Sequence, residues 1–363
     1  HRLVSIWFME VNEYLPTEPF FSRFSPNGFK RNDVDADTLE EKEEMQYWKT
    51  YGYTEQEVAA QILFMRVCSQ LGRIFPQLFS CYAQPVDFLI PKFHVDSVIY
   101  EFLSLPKEDF VLSQGGQAEM IGWLYQYFHT ERKEETFALL QKNIKITKER
   151  IPAATQLFTP DWIVRYMVEN SVGKLWLEQH PNAELEEKWT YYLKSNNTSS
   201  REKYSTELRP QDITILDPCM GSGHILVYAF DILMDIYGSQ GYTKREAADQ
   251  IIANNLYGLE IDDSVSELAH FVIMMKARFY DETILEQSRC VHICSIQESN
   301  EITDNLRQEI WQQFSMLEEE ERLAIDFVID AFRDAKTYGS CLQMTQRFQP
   351  KFYEKTARRL REI

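Results

Sequence analysis

The chain has 363 residues, of which 44% are hydrophobic and 13% aromatic, and a formal net charge of −18. That length admits two domains of ordinary size at about 100–200 residues each, and the composition is that of a globular chain with a substantial core. So acidic a surface repels phosphate backbones, which excludes a chain that grips nucleic acid mainly through its own basic face.

No run approaches the ~18 consecutive apolar residues of a membrane span, and no secretory signal is visible. The chain opens on His1 and stops at Ile363 inside a helical-looking run, so both ends are expected to be cut points. Six cysteines (Cys68, Cys81, Cys219, Cys290, Cys294, Cys341) show no paired framework. A reduced, cytoplasmic setting follows. Cys290 and Cys294 flank His292 on an apolar, strand-like run with no second ligand pair, and are read as structural rather than zinc-binding.

Residues 1–150 read as a helical domain. LVSIWFMEVNEYL and VAAQILFMRVCSQLGRIF carry apolar residues three and four apart, the amphipathic period. Ser22–Glu44, with Pro26, Gly28 and an acidic run, reads as a loop leading to a helix. IGWLYQYFHTERKEETFALLQK forms a further helix, whose Trp123, Tyr127 and Phe128 stripe is read as core.

The character changes near residue 150. In IPAATQLFTPDWIVRYMVENSVGKLWLE, Thr159 is a candidate N-cap, Pro160 the first helical residue and Asp161 an acid at the positive helix end. The expected helix Asp161–Glu178 buries Ile163, Met167, Val168, Leu175 and Trp176. Polar Gln179–Pro210, apart from its WTYYL patch, reads as a surface insertion.

Strands and helices then alternate: a strand at Ile213–Asp217, a helix at Ile225–Tyr237 and a second from about Thr243 to Asn254. A strand at Leu256–Ile261, a helix over VSELAHFVIMMKARFY and a strand at Val291–Ile296 follow. This pattern predicts an α/β fold with a parallel doubly wound sheet. From Asn300 the chain reads as mainly helical, with Glu318–Glu321 as an exposed helix face.

The stretch ITILDPCMGSGHILVYAFDIL sits at the carboxyl end of the first strand, where open α/β sheets bind ligands. Gly221 and Gly223 permit a tight turn and close approach of backbone to a ligand. Asp217 can accept from a cationic group, and the free N–H groups of the following helix suit a carboxylate. A glycine pair after a strand serves a nucleotide loop or merely a tight turn. The next strand, NLYGLEIDD, favours the first, because its tip acid Glu260 is placed as such folds place the acid that holds two ribose hydroxyls. Leu226 stands where a third glycine of a dinucleotide fingerprint would fall, which disfavours nicotinamide and flavin cofactors. The combination describes a site for S-adenosylmethionine: ammonium near Asp217, hydroxyls at Glu260, adenine between Ile261 and the Ser295–Ile296 tip.

DPCMGSGH is similar to the cofactor motif of N6-adenine DNA methyltransferases, and QLFTPDWIVRYMVENSVGKLW looks like the "TP" motif that precedes it. With VSIWFMEVNEYLP, ITKERIPAATQLFTPDWIVRYMVENS, NNLYGLEIDD and MMKARFYD, the chain resembles the PglX family, the adenine-specific methyltransferases of BREX phage-defence systems, from near Leu3 to near Tyr338. The resemblance implies a helical N-terminal domain over 1–150, then the cofactor half of a Rossmann-like methyltransferase domain over 151–363, incomplete at its C-terminus. It implies that Thr159 and Pro160 contact the methionine end of the cofactor. Asp217, Pro218, Cys219 and Met220 would line the amino-acid portion beside Gly221 and Gly223, and Glu260 would hold the ribose. His224 either contacts the ligand or caps its helix. Relatives place an acid where Ser295 stands, so Gln297 is the substitute acceptor for the adenine amino group.

The resemblance also implies double-stranded DNA as substrate, other BREX defence proteins as partners and a phage-encoded inhibitor as a further one. Adenine N6 is a poor nucleophile, and relatives assist it with Asn/Asp-Pro-Pro-Tyr/Phe. No Pro-Pro pair occurs in this sequence. The motif and the DNA-reading surface are therefore expected beyond Ile363, no catalytic residue is named here, and the chain alone is not expected to methylate DNA. The alternative is an S-adenosylmethionine-sensing scaffold or DNA-recognition subunit. The acidity of the N-terminal helices favours a protein partner over DNA for them.

Overall fold

The computed structural model describes residues 2–16, 19–25, 28–29, 39–79, 95–118, 120–128, 130–147, 150–151, 154, 159–194, 207–286, 291–313 and 317–338. The N-terminal part is helical: α1 (Arg2–Val11), α2 (Leu39–Thr50), α3 (Glu55–Leu71), α4 (Pro76–Phe79), α5 (Val95–Ser104), α6 (Met120–Phe128) and α7 (Thr130–Gln141). Its only described strands, β1 (Phe24–Ser25) and β2 (Gly28–Phe29), form a minimal antiparallel pair. Thr54 starts α3 with a capping box closed by Glu57. This reciprocal pairing satisfies two N–H groups that the helix leaves unpaired at its start.

The aromatic stripe expected on α6 divides. Tyr127 is 77% exposed, whereas Trp123 is partly buried and turned toward the C-terminal half. The side chain of Phe128 lies outside the described residues.

After Pro160 come α8 (Asp161–Val168), a π-helical turn (Glu169–Gly173) and α9 (Lys174–Gln179). Pro160, not Thr159, is the residue preceding the first helical position, and no side chain caps this start. The wide turn also shifts the helix phase. Val164, Val168, Val172 and Trp176 are buried at intervals of four residues, while Met167 is exposed and Ile163 and Leu175 are only partly covered. The expectation that Ile163, Met167 and Leu175 are core is corrected accordingly.

The supposed surface insertion contributes α10 (Ala183–Lys188) and a buried Trp189. The Trp189 indole N–H donates to Asp235 at 3.1 Å, and its ring fills the space a side chain on Gly173 would need. Residues 195–206, including all of SNNTSS, lie outside the described set.

The sheet comprises β3 (Ile215–Asp217), β4 (Leu256–Glu260) and β5 (His292–Ser295), all parallel and in that spatial order. Between them run α11 (His224–Ser239), α12 (Lys244–Gln250), a π-helical turn (Ile251–Asn255) and α13 (Asp263–Tyr280). Strand order advances in one direction, and right-handed crossovers then place α11 and α13 on the same face. The reversal of a doubly wound sheet is not found among the described strands. The other face leaves Leu216 60% exposed.

Buried Asn255 joins β3 to β4 at their starts. Its amide donates to the carbonyls of Pro210 (2.8 Å) and Ile213 (2.6 Å) and accepts from the Tyr237 hydroxyl (3.0 Å). α14 (Asp304–Gln313), α15 (Glu319–Ala331) and α16 (Ala335–Tyr338) complete the described chain. Glu321, expected on an exposed face, is buried because Glu318 starts α15 through a capping box with it.

One continuous apolar core unites both halves. α13 is its hub: Phe271, fully buried, packs edge-on against Phe8 of α1 (6.3 Å) and Phe75 (5.3 Å). Each such buried ring contributes roughly 1.5–3 kcal/mol of transfer free energy. The N-terminal helices thus brace the helix that follows β4. No helix among the described residues is long and apolar enough to cross a membrane.

Candidate cofactor site

The loop Asp217–Gly223 lies at the carboxyl end of β3, and Glu260 lies at that of β4. Register places Asp217 opposite Gly258, and Glu260 opposite Ser295. The sheet therefore brings Asp217, Glu260 and Ser295 to one edge, as the alternation predicted.

The glycine loop is held by backbone bonds. The Met220 N–H donates to Leu259 O (3.0 Å) and the Gly223 N–H to Met220 O (2.9 Å). Gly221 and Gly223 both take positive φ, +55° and +84°, a region that side-chain-bearing residues rarely adopt. They differ in surroundings. A Cβ on Gly223 would lie 3.3 Å from the Ala269 Cβ, whereas one on Gly221 would meet no heavy atom within 4 Å. Gly223 fits the loop against α13, and Gly221 borders open space. Gly258 is needed for packing, since a Cβ there would run into the Met220 sulfur.

Asp217 is 9% exposed. Its Oδ1 accepts from the Cys219 N–H at 3.1 Å, and Oδ2 is buried with no hydrogen-bond partner. Burial raises its pKa above the ordinary carboxylate value, an effect that the Cys219 N–H partly offsets. A buried carboxylate oxygen with no hydrogen-bond partner is an acceptor that a ligand's donor can satisfy.

Glu260 is better satisfied than the sequence suggested. One oxygen accepts from the Gly221 N–H (2.9 Å), the other from the N–H groups of Ile261 (2.8 Å) and Asp262 (3.2 Å). Burial nonetheless raises its pKa against these three bonds. With about four acceptor positions on a carboxylate, roughly one remains for a ligand while Gly221 stays bound.

His224 opens α11 directly after Gly223, whose positive φ ends the loop. It does not cap the helix with its side chain. Its Nε2 lies 3.9 Å from Asp161 Oδ1, its Nδ1 is buried without a partner, and the Trp123 ring meets it edge-on at 6.4 Å. The Thr159–Pro160–Asp161 segment is thereby brought beside the glycine loop. Asp161 also accepts from Arg165 Nε at 2.6 Å, and Arg165 lies over the Tyr228 ring at 4.9 Å. The Tyr228 hydroxyl donates to buried Glu169 (2.6 Å), which also accepts the Tyr191 N–H (2.6 Å). Glu169 occupies the first position of the π-helical turn, so this polar chain joins the turn to the site.

Pro218 and Cys219 are exposed and Met220 is buried beneath the loop. At the tip of β5, buried Ile296 donates its N–H to Glu260 O at 2.7 Å, and Ile261 is partly exposed beside it. Gln297 and Ser295 are tied to Asp263, which Lys336 holds with both carboxylate oxygens at 2.9 Å. Sequence reasoning read Asp161 only as a helix-end charge and did not single out Trp123 as a neighbour of His224. Lys336 gave no signal, being 73 residues from Asp263. His292 stacks on Tyr257 at 4.5 Å with its Nε2 3.2 Å from Ala253 O, and Cys290 lies outside the described residues.

Residues 193–338 match the family model described as the MmeI DNA-methyltransferase domain. The chain is 37% identical over 303 residues to the adenine-specific methyltransferase PglX of Lacticaseibacillus casei, covering 77% of this chain and 25% of that protein. It is 34% identical over 317 residues to the adenine-specific methyltransferase BrxX of Escherichia coli, covering 82% of this chain and 25% of that protein. A putative type II restriction enzyme and methyltransferase of Methanocaldococcus jannaschii is 32% identical over 133 residues, 31% of this chain and 11% of that protein. The chain thus spans about a quarter of the length of the PglX and BrxX relatives. Over most of its own length it is similar to adenine-specific methyltransferases of the PglX and BrxX kind, and residues 193–338 are similar to the methyltransferase domain of MmeI.

Proposed function

We propose that the edge formed by Asp217, the glycine loop, Glu260 and the β5 tip binds S-adenosylmethionine. In this reading the chain is the cofactor-binding part of a site-specific DNA adenine N6-methyltransferase of a BREX-type phage-defence system, marking host DNA in the cytoplasm. The observation that carries the reading is the buried Oδ2 of Asp217, which has no hydrogen-bond partner at the carboxyl end of β3. A cationic amino group would supply the missing donor and offset the desolvation of the carboxylate.

When bound, the cofactor supplies an electrophilic methyl group. The residues of this chain hold and orient it. Asp217 accepts from the ammonium, and the free N–H groups at the start of α11 face its carboxylate. His224, held near Asp161, flanks that end together with Thr159 and Pro160. Glu260 accepts from a ribose hydroxyl at its remaining position, and Ile261 and Ile296 flank the purine. No Pro-Pro pair occurs in the 363 residues, so no residue here is assigned to activating the adenine amine. That same observation favours a second reading, a cofactor-sensing scaffold or recognition subunit without methyl transfer. Transfer of labelled methyl groups to DNA by the longest natural form of the protein separates the two.

Calorimetry tests the pocket itself. S-adenosylmethionine is expected to bind the purified chain, and Asp217→Ala and Glu260→Ala are each expected to weaken it by about tenfold or more. Unchanged affinity in both variants would remove the basis for this placement.

A further inference from the structure

The His224 ring is surrounded by groups from separate elements, and it is 7% exposed. From α8, Asp161 Oδ1 lies 3.9 Å from Nε2, too far for a hydrogen bond. From α6, in the N-terminal half, the Trp123 ring meets the imidazole edge-on at 6.4 Å and 75°. Nδ1 is buried with no hydrogen-bond partner among the described residues. The turn from β3 into α11 thus carries two such atoms, Asp217 Oδ2 and His224 Nδ1.

A buried polar atom without a partner is unfavourable, and a side chain relieves it by turning to a rotamer that finds water or a bond. His224 keeps its orphan, so its surroundings must deny it that rotation. Asp161 is engaged by Arg165 at 2.6 Å. The bulky neighbour set against the ring is Trp123. Its helix is anchored by Ile121 and Tyr125, 2% and 6% exposed, and packs on α13. α13 also backs the glycine loop, where a Cβ on Gly223 would lie 3.3 Å from the Ala269 Cβ. One helix therefore fixes both the loop and the indole beside it. Trp123 lies outside residues 193–338, the part similar to the methyltransferase domain of MmeI.

We propose that the N-terminal helical half completes the cofactor site, with Trp123 as its positioning residue. The indole blocks rotation of the His224 imidazole and keeps Nδ1 unpartnered until a ligand binds. The amino-acid end of the cofactor then meets a ring already in place, which lowers the ordering cost of binding. This rests on the S-adenosylmethionine reading of the loop and extends it to helices outside that domain.

Calorimetric titration with S-adenosylhomocysteine and with methylthioadenosine tests the proposal. The second compound keeps the nucleoside and the thioether and lacks the amino-acid end. Trp123→Leu is expected to weaken S-adenosylhomocysteine by about fivefold or more and to leave methylthioadenosine within about twofold. A residue that merely braced the fold would weaken both alike. In a His224→Ala background, Trp123→Leu is expected to have less than about a twofold further effect, because a residue acting through another loses its influence when that other is gone. Trp123→Phe takes its place in both comparisons if the leucine variant does not fold, with a loss of about threefold expected.

Equal weakening of the two compounds, or an undiminished effect in the His224→Ala background, would overturn the proposal while leaving the cofactor site standing. So would unaltered affinity for S-adenosylhomocysteine in the Trp123 variant. Failure of the unaltered chain to bind S-adenosylhomocysteine would overturn the cofactor reading and this proposal together.

Discussion

The Gly221 N–H donates to the Glu260 carboxylate at 2.9 Å, across 39 residues of sequence. The acid at the end of β4 therefore fastens the glycine loop that follows β3, and any ligand it holds is coupled to that loop. Glu260→Gln tests the coupling. One amide oxygen cannot replace two carboxylate oxygens that accept from Gly221 on one side and from Ile261 and Asp262 on the other. The substitution is expected to cost about 1–3 kcal/mol of loop stability. Faster amide exchange at Gly221, with the Asn255 amide unaffected, is the expected signature, and unaltered exchange would count against the coupling.

Asp217 is predicted to trade stability for binding. Its carboxyl pKa is raised in the fold by burial. The folded state therefore holds its proton to higher pH than the unfolded state, and stability is lost as pH rises through that window. Asp217→Asn removes this loss. Thermal melts are expected to show no advantage for the variant at the acidic side of the window, and an advantage on the order of 1 kcal/mol near neutral pH. Weaker binding of S-adenosylmethionine should accompany it. A variant less stable at neutral pH than the unaltered chain would sink this account.

His270 gives the opposite slope. It sits on α13 with its ring edge-on to Phe75 at 6.0 Å, and burial lowers its pKa to about 4. Between that value and the ordinary histidine pKa the unfolded chain binds the extra proton, so stability falls as pH falls through the window. Relative to His270→Gln, the unaltered chain should lose on the order of 2 kcal/mol between pH 7 and pH 4.5. Parallel denaturant midpoints for the two proteins across that range would show that His270 does not titrate in the seam.

Much of the sheet was legible because strands and helices differ in period. Alternating apolar runs placed β3, β4 and β5 to within two residues at each end, and the strand-tip position of Asp217 and Glu260 followed directly. The helix after Pro160 was harder to read. A uniform helical period puts Met167 inside, but the π-helical turn at Glu169–Gly173 moves the buried row to Val164, Val168, Val172 and Trp176. Burial of Glu169 had no local signal either, since its partners Tyr191 and Tyr228 lie 22 and 59 residues away. The same holds for Trp189, whose burial depends on Gly173 offering a flat surface across the turn. Contacts set by distant side chains decide these cases, and periodicity carries no information about them.

The most direct measurement is an amide-exchange footprint of the purified chain with and without S-adenosylhomocysteine. Protection is expected at 217–224, 260–263 and 295–297, with residues 39–71 unchanged. No protection at the first two segments, or protection confined to the N-terminal helices, would contradict the assignment of Asp217 and Glu260 to a cofactor site.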